Sequence, residues 1–109
     1  MNRKELMQQY KAAPTFYGVI EIKNDQNGKT FIDVARNVHN RWGYYQTNLN
    51  GNFYHDTDLQ ADWNRLGAAA FSYRVLWKAD TSETDNLRQA LKDLKVEWLE
   101  KCHPAYNQH

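Results

Sequence analysis

The sequence predicts a small α+β domain in which helices flank a three-stranded antiparallel sheet. Two neighbouring segments alternate between apolar and polar residues and are joined by Asn27-Gly28, a pair that favours the positive φ angles of a hairpin turn. A hairpin makes the first two strands antiparallel, and segments with helical spacing surround a third alternating segment. The predicted order of elements is therefore α-β-β-α-α-β-α.

The first third of the chain contains a predicted helix and the hairpin. Residues 2–12 read as a short polar helix within an N-terminal helical extension of residues 1–14. Residues 24–28 form the predicted turn and residues 29–35 the second strand. The first strand spans residues 16–23, and alternate residues share one face of it: Phe16, Gly18, Ile20 and Ile22.

Two helices and the third strand follow the hairpin. A helix is predicted over residues 37–49, and Asp56 or Thr57 is expected to cap the next helix, which ends at Gly67. The third strand contains four large apolar residues at alternate positions: Phe71, Tyr73, Val75 and Trp77.

The last helix is predicted from its apolar spacing and its end signals. Thr81 or Ser82 is expected to cap its N-terminus, and Pro104 ends it. Its apolar residues recur at the spacing of one helix face: Leu87, Leu91, Leu94 and Trp98.

Length and charge exclude several classes of protein. The 109 residues suffice for one domain, and a formal net charge of +1 gives little support to strong nucleic-acid binding. Cys102 is the one cysteine, so an intrachain disulfide is excluded. No run approaches the roughly 18 apolar residues of a membrane helix, and nothing resembles a signal peptide. We therefore expect a cytoplasmic protein without a membrane partner.

Five short motifs follow one another along the chain. The first two are the triplets Gly18-Val19-Ile20 and Phe31-Ile32-Asp33 on the hairpin strands. The other three lie in residues 37–42, which lead from Asn37 to Arg41, in residues 59–64, and in residues 97–107, which end with Tyr106-Asn107. Together they resemble the GIY-YIG nuclease family, especially short bacterial members that are sometimes labelled LuxR-like. The resemblance covers residues 16–107, the expected core of a single domain spanning residues 1–109.

The resemblance implies metal-dependent hydrolysis of a phosphodiester, but the chain departs from the family where the chemistry resides. In the family, a Tyr of the first triplet activates water, an Arg stabilises phosphate charge, and a Glu on the last helix holds a divalent metal. Here Ile20 and Phe31 replace the Tyr residues of the two triplets, and Tyr45 stands where a His often falls. Lys95 occupies the position of the metal-binding Glu, and Asp33 replaces the Gly of the second triplet.

These departures predict that no catalytic residue is intact and that the chain has neither a metal site nor a cofactor. Mg²⁺ or Mn²⁺ would be needed only by a divergent active endonuclease that uses Asp33, Tyr17 or His55 in shifted roles. Four residues remain as candidates for binding phosphate or nucleic acid: Arg41, Arg36, His55 and Asn107.

The predicted function is a catalytically degenerate GIY-YIG-like domain that retains weak binding to DNA or RNA. One alternative is a divergent metal-dependent DNA endonuclease, and the other is a module that binds a protein partner. The near-neutral charge favours the protein-binding alternative. Five aromatic residues lie close in sequence to Arg36 and Arg41, and they either join the core or form a stacking platform for single-stranded bases: Trp42, Tyr44, Tyr45, Phe53 and Tyr54.

Overall fold

A computed structural model describes residues 14–107, and the helix predicted over residues 2–12 lies outside these residues. The three strands form one antiparallel sheet in the order β2-β1-β3. This sheet confirms the predicted α+β class, and the order of the described elements agrees with the prediction. The elements are β1 (Phe16–Asn24), β2 (Thr30–Ala35), α1 (Arg41–Asn50), α2 (Asp58–Leu66), β3 (Phe71–Asp80) and α3 (Leu87–Cys102).

The central strand β1 is buried on both faces. Ile20 and Ile22 are fully buried on one face, and Phe16 packs against the same core, as the alternation predicted. Val19 is fully buried on the opposite face. The helix α3 packs against β2 and β1. The core joins β1 to α1, α2 and the chain end through Ile20, Ile22, Ala35, Val38, Tyr45, Leu49, Leu59, Trp63, Ala70, Phe71 and Tyr106.

The hairpin turn uses only one of the two predicted positive φ angles. Gly28 has a φ of 78°, whereas Asn27 is not among the described residues with a positive φ. The side-chain oxygen of Asn27 instead accepts a hydrogen bond from the Lys29 backbone N–H at 2.9 Å. The prediction for Asn27 was therefore wrong, because its side chain closes the turn by a local hydrogen bond.

A bulge interrupts the alternation of β3. Val19 pairs with Trp77 and Ile20 pairs with Val75, so Leu76 is the extra residue. An extra residue moves every later side chain to the other face of the sheet. Trp77 accordingly contacts Tyr17 edge to face, with ring centroids 5.7 Å apart, whereas Val75 packs against the core.

The helix α1 begins at Arg41, four residues later than predicted. The Val38 N–H donates to the Phe16 carbonyl at 2.9 Å, and the Asn37 side chain accepts from the His39 N–H at 3.1 Å. These bonds hold residues 37–40 as a turn against β1, which prevents an earlier helix start.

The N-terminal caps agree with the sequence at α2 and differ at α3. Thr57 caps α2, since its hydroxyl accepts from the Gln60 N–H. The predicted caps Thr81 and Ser82 lie instead in a 3-10 turn, Thr81–Glu83. Asn86 caps α3 by accepting a hydrogen bond from Gln89. The prediction for α3 was wrong because two cap-forming segments precede it, and the earlier one closes only a 3-10 turn.

Within the described range, no helix is both long and apolar enough to cross a bilayer.

Gly18 is required by the close approach of β3 to β1. A Cβ atom at this position would lie 2.0 Å from the Trp77 carbonyl oxygen and 2.8 Å from the Lys78 Cα. Both are backbone atoms, so the sheet itself would have to move. We expect Gly18→Ala to lower the free energy of unfolding by about 3 kcal/mol or more, measured by urea denaturation followed by circular dichroism.

Gly43 provides the matched control, because a Cβ there meets no atom within 4 Å. Gly43→Ala within α1 should raise the free energy of unfolding by roughly 0.5–1 kcal/mol. Equal effects of the two substitutions would show that the β1–β3 approach does not constrain Gly18.

Candidate functional site

The Asp33 carboxylate lies where β2, α1 and α3 meet. One of its oxygens accepts a hydrogen bond from the Val34 N–H at 2.8 Å, and the other accepts from the Tyr45 hydroxyl of α1. The Lys95 ammonium of α3 lies 3.4 Å from the first oxygen. Ile20 is the partner of Asp33 across the hairpin. The fold thus brings Ile20, Tyr45 and Lys95 together around one carboxylate.

The side chains at the positions of the two triplet tyrosines carry no hydroxyl. Ile20 is fully buried in the core. The Phe31 ring packs edge to face against Tyr45, with centroids 5.7 Å apart. Neither side chain can donate or accept a proton, so the sheet supplies no base at these two positions.

Tyr45 acts here as a hydrogen-bond donor. Burial raises the pKa of its hydroxyl well above the ordinary value, the negative charge of Asp33 raises this pKa further, and the Arg41 guanidinium opposes the rise. At neutral pH the hydroxyl is therefore protonated, and its proton is directed at Asp33.

The donor atoms around Asp33 do not fit a divalent cation. Mg²⁺ takes oxygen ligands, with one or two carboxylates in a typical site. Here the single carboxylate is already bonded by Val34 and Tyr45, and an ammonium group lies beside it. Between residues 14 and 107, no three His, Cys, Asp or Glu side chains are grouped as a metal site.

Arg41 and Arg36 lie at the N-terminus of α1. They line a surface cavity of about 390 Å³ together with Asn37 and Asn40. No side chain caps this helix end, and its first turn contains no acidic residue. The Nε of Arg41 is buried and forms no hydrogen bond within the described residues. Free N–H groups at a helix start and two guanidinium groups make this cavity suited to a phosphate.

The aromatic residues of α1 and the following loop divide into two groups. Trp42 stacks on Tyr73, with centroids 5.4 Å apart, and Tyr45 is buried in the core. Tyr44 is 47% exposed and Phe53 is 68% exposed. The Arg41 guanidinium lies 3.8 Å from the centre of the Tyr44 ring. The core interpretation therefore holds for Trp42 and Tyr45, while Tyr44 and Phe53 present free ring surface.

A second cavity, here called the aromatic cavity, is lined in part by Tyr45 and has a volume of about 310 Å³. Four aromatic residues line it, and the ammonium of Lys95 adds a cation. Its complete lining is Phe31, Tyr45, Tyr54, Thr57, Leu59, Lys95, Leu99, Tyr106 and Asn107.

Two solved structures share this arrangement of strands and helices. One is a point mutant of the catalytic domain of intron endonuclease I-TevI, with a TM-score of 0.67, 20% identity, and coverage of 81% of this chain and 84% of that chain. The other is the catalytic domain of homing endonuclease I-TevI, with a TM-score of 0.64, 20% identity, and coverage of 80% and 88%. The chain has the GIY-YIG nuclease fold. No family model and no curated protein sequence matches it.

In the GIY-YIG fold, the side chains of Asn107 and His55 bond to groups other than the Asp33 carboxylate. The side chain of Asn107 accepts from the Ile32 N–H and donates to the Ile32 carbonyl, both at 2.8 Å, and so covers the outer edge of β2. His55 is exposed on the loop before α2, with its Nδ1 3.0 Å from the Asp56 carboxylate. The neighbouring Tyr54, rather than His55, lines the aromatic cavity. Binding roles for Asn107 and His55 stay predictions.

The sequence did not predict a polar network that holds Tyr106 against the rest of the GIY-YIG fold. The fully buried Asn24 donates to the Tyr106 hydroxyl at 3.1 Å, and Tyr106 donates to Asp62 at 2.6 Å. Burial raises the pKa of Tyr106 to about 12, and the bond to Asp62 contributes. The Tyr106-Asn107 motif was a signal for this region, but it did not indicate which partners the two side chains bind.

The contact between Lys95 and Asp33 is expected to contribute little to stability, because the Lys95 side chain is 48% exposed. A double-mutant cycle with Asp33→Asn and Lys95→Met should give a coupling energy below about 1 kcal/mol that falls with added salt. Tyr45→Phe should cost more, about 1.5–3 kcal/mol, since it removes a hydrogen bond to a largely buried carboxylate. Urea denaturation of the four proteins of the cycle and of Tyr45→Phe measures both. A coupling above about 2 kcal/mol would show that Lys95 is locked onto Asp33.

Proposed function

We propose that this chain is a GIY-YIG-fold domain that has lost nuclease activity and binds nucleic acid weakly through its phosphates. The observation that supports the loss is the contact of Lys95 with Asp33, 3.4 Å apart, at the position that the resemblance assigns to the metal-binding Glu. The Lys95 side chain supplies an ammonium group instead of the carboxylate ligand that a divalent cation would need. Its positive charge also repels such a cation from Asp33.

The remaining groups do not replace the missing chemistry. Tyr17 faces Trp77 on one side of the sheet, whereas Asp33 faces Tyr45 on the other side. The divergent-nuclease alternative would need these two residues, or His55, to act on one phosphate. Their positions in the sheet argue against that alternative.

The N-terminus of α1 supports the binding role. Arg36 is exposed and the half-buried Arg41 lines the same cavity, so both guanidinium groups can meet phosphate oxygens. Two such contacts predict a modest affinity, because each neutralised phosphate contributes one released counterion. A net charge of +1 adds little attraction at longer range.

The loss of activity predicts that pure protein leaves supercoiled plasmid and single-stranded DNA uncut in Mg²⁺ or Mn²⁺. Gel electrophoresis over a day of incubation measures this, with Arg41→Ala prepared identically as the control for contaminating nucleases. Metal-dependent cleavage by the wild type that Arg41→Ala abolishes would favour the divergent endonuclease instead.

The binding role predicts that fluorescence anisotropy with labelled DNA and RNA detects a complex at 50 mM salt whose affinity falls about tenfold by 200 mM. Arg36→Ala and Arg41→Ala should each weaken binding several-fold and reduce the salt slope by about one. Arg88→Ala, which removes an exposed arginine on α3, is the matched control and should have no effect.

No binding at 50 mM salt would remove the nucleic-acid part of the proposal. The exposed rings of Tyr44 and Phe53 would then favour the alternative of a protein partner.

A further inference from the structure

We infer that the aromatic cavity binds a small ligand that consists of a planar aromatic ring with one anionic group, and that Lys95 binds the anionic group. This inference goes beyond the proposed function, because it concerns a different surface from the cavity of Arg36 and Arg41 and needs neither of them. The two cavities have no lining residue in common.

The shape and lining of the aromatic cavity favour a flat apolar group. Its volume of about 310 Å³ is at the small end of the range for ligand sites, roughly 300–1,000 Å³. The rings of Phe31 and Tyr54 both pack on Tyr45, with centroids 5.7 Å and 6.2 Å from it. Leu59 and Leu99 complete the apolar wall. Aromatic walls of this kind stack on a planar ring.

The polar atoms in the wall are already hydrogen-bonded inside the protein. Because they are satisfied, they do not require a polar partner in the cavity. The bonds are Tyr45 to Asp33, Asn48 to Tyr54, Thr57 to the Tyr54 carbonyl, Tyr106 to Asp62, and Asn107 to the Ile32 backbone.

Lys95 differs from the rest of the wall because it has hydrogen-bonding capacity to spare. Its ammonium carries three donors, it is 48% exposed, and Asp33 lies at the long distance of 3.4 Å. If Lys95 turns away, Asp33 keeps its bonds from Val34 and Tyr45. A ligand anion can therefore engage Lys95 without leaving a bare buried carboxylate behind.

The charge of the cavity selects the sign of the ligand. Lys95 is the one charged side chain in the described lining, and no Asp or Glu contributes to it. A ring that carries a carboxylate or a phosphate meets both the aromatic wall and the cation. A nucleoside monophosphate and an aromatic carboxylate share this chemistry, and they serve as the two probes.

The test is a titration of the ¹⁵N-labelled chain with AMP, adenosine, benzoate and inorganic phosphate at 150 mM salt, followed by NMR. We expect AMP or benzoate to bind in the millimolar range or tighter and to shift signals of residues that line the aromatic cavity. Adenosine should bind about tenfold more weakly than AMP, as expected for one lost charge-assisted contact. Phosphate alone should leave the cavity signals in place.

Two variants on α3 separate the cavity from general charge. Lys95→Met keeps the length of the side chain and should weaken the binding of the anionic probes about tenfold while leaving adenosine unchanged. Lys92→Met, at an exposed position outside the cavity, should change nothing. Leu99→Trp, which places a ring in the cavity, should abolish the shifts in a protein that still unfolds cooperatively.

The inference is overturned if neither AMP nor benzoate shifts the cavity signals at 10 mM, roughly the weakest binding a site of this size should show. Unchanged affinity in Lys95→Met, or shifts confined to the surroundings of Arg36 and Arg41, would also overturn it. In these cases the proposed nucleic-acid binding is unaffected, because oligonucleotide binding is measured separately through Arg41→Ala. Binding of benzoate without AMP would assign the cavity to aromatic carboxylates.

Discussion

The hydrogen bond from Tyr45 to the Asp33 carboxylate is the interaction on which the candidate site depends, because it joins β2 to α1 where α3 approaches. Tyr45 donates to the carboxylate from α1, and Lys95 approaches it from α3. In the sequence, Asp33 and Lys95 are two separate departures from the GIY-YIG pattern. In the structure they form one interaction, in which a carboxylate gained on the sheet faces an ammonium gained on the helix. The pair is neutral, so neither substitution leaves an uncompensated charge near the core.

Much of the fold could be predicted from local signals, and two of the exceptions have a common cause. The alternation of Phe16 to Ile22 and the Thr57 cap involve neighbouring residues, so the pattern alone was sufficient. The late start of α1 depends on a bond from Val38 to Phe16, and the side change at Trp77 depends on the Leu76 bulge. Both are set by pairing with β1, and a periodicity read from one segment contains no information about its partner strand.

The candidate site was predictable as a set of positions but not as a set of contacts. The motif order named Ile20, Tyr45 and Lys95 as positions of one site, and all three lie around Asp33. Arg41 lines a different cavity, with Arg36. The motif order did not show that the Asn107 side chain bonds to the Ile32 backbone at the edge of β2. That contact depends on the residues after α3 returning to β2. The sequence motif contains Gly18 but does not show why a glycine is required there. The requirement comes from the Trp77 backbone, which lies too close to Gly18 for any side chain.

Tyr45 contacts Arg41 and also lines the aromatic cavity, and the two cavities differ in physical character. At the first, Arg41 lies against the Tyr44 ring at the start of α1, where the helix dipole and Arg36 act together on any phosphate. At the second, Lys95 is the one cation of a mostly apolar cavity. Under the two proposals, the first surface attracts a charged backbone whatever its sequence, whereas the second selects a ring by stacking and shape. Under the proposed function, the cavity of Arg36 and Arg41 keeps both of its cations, because it shares no lining residue with the cavity of Lys95. The proposed loss of hydrolysis and the proposed binding of phosphate therefore depend on different residues.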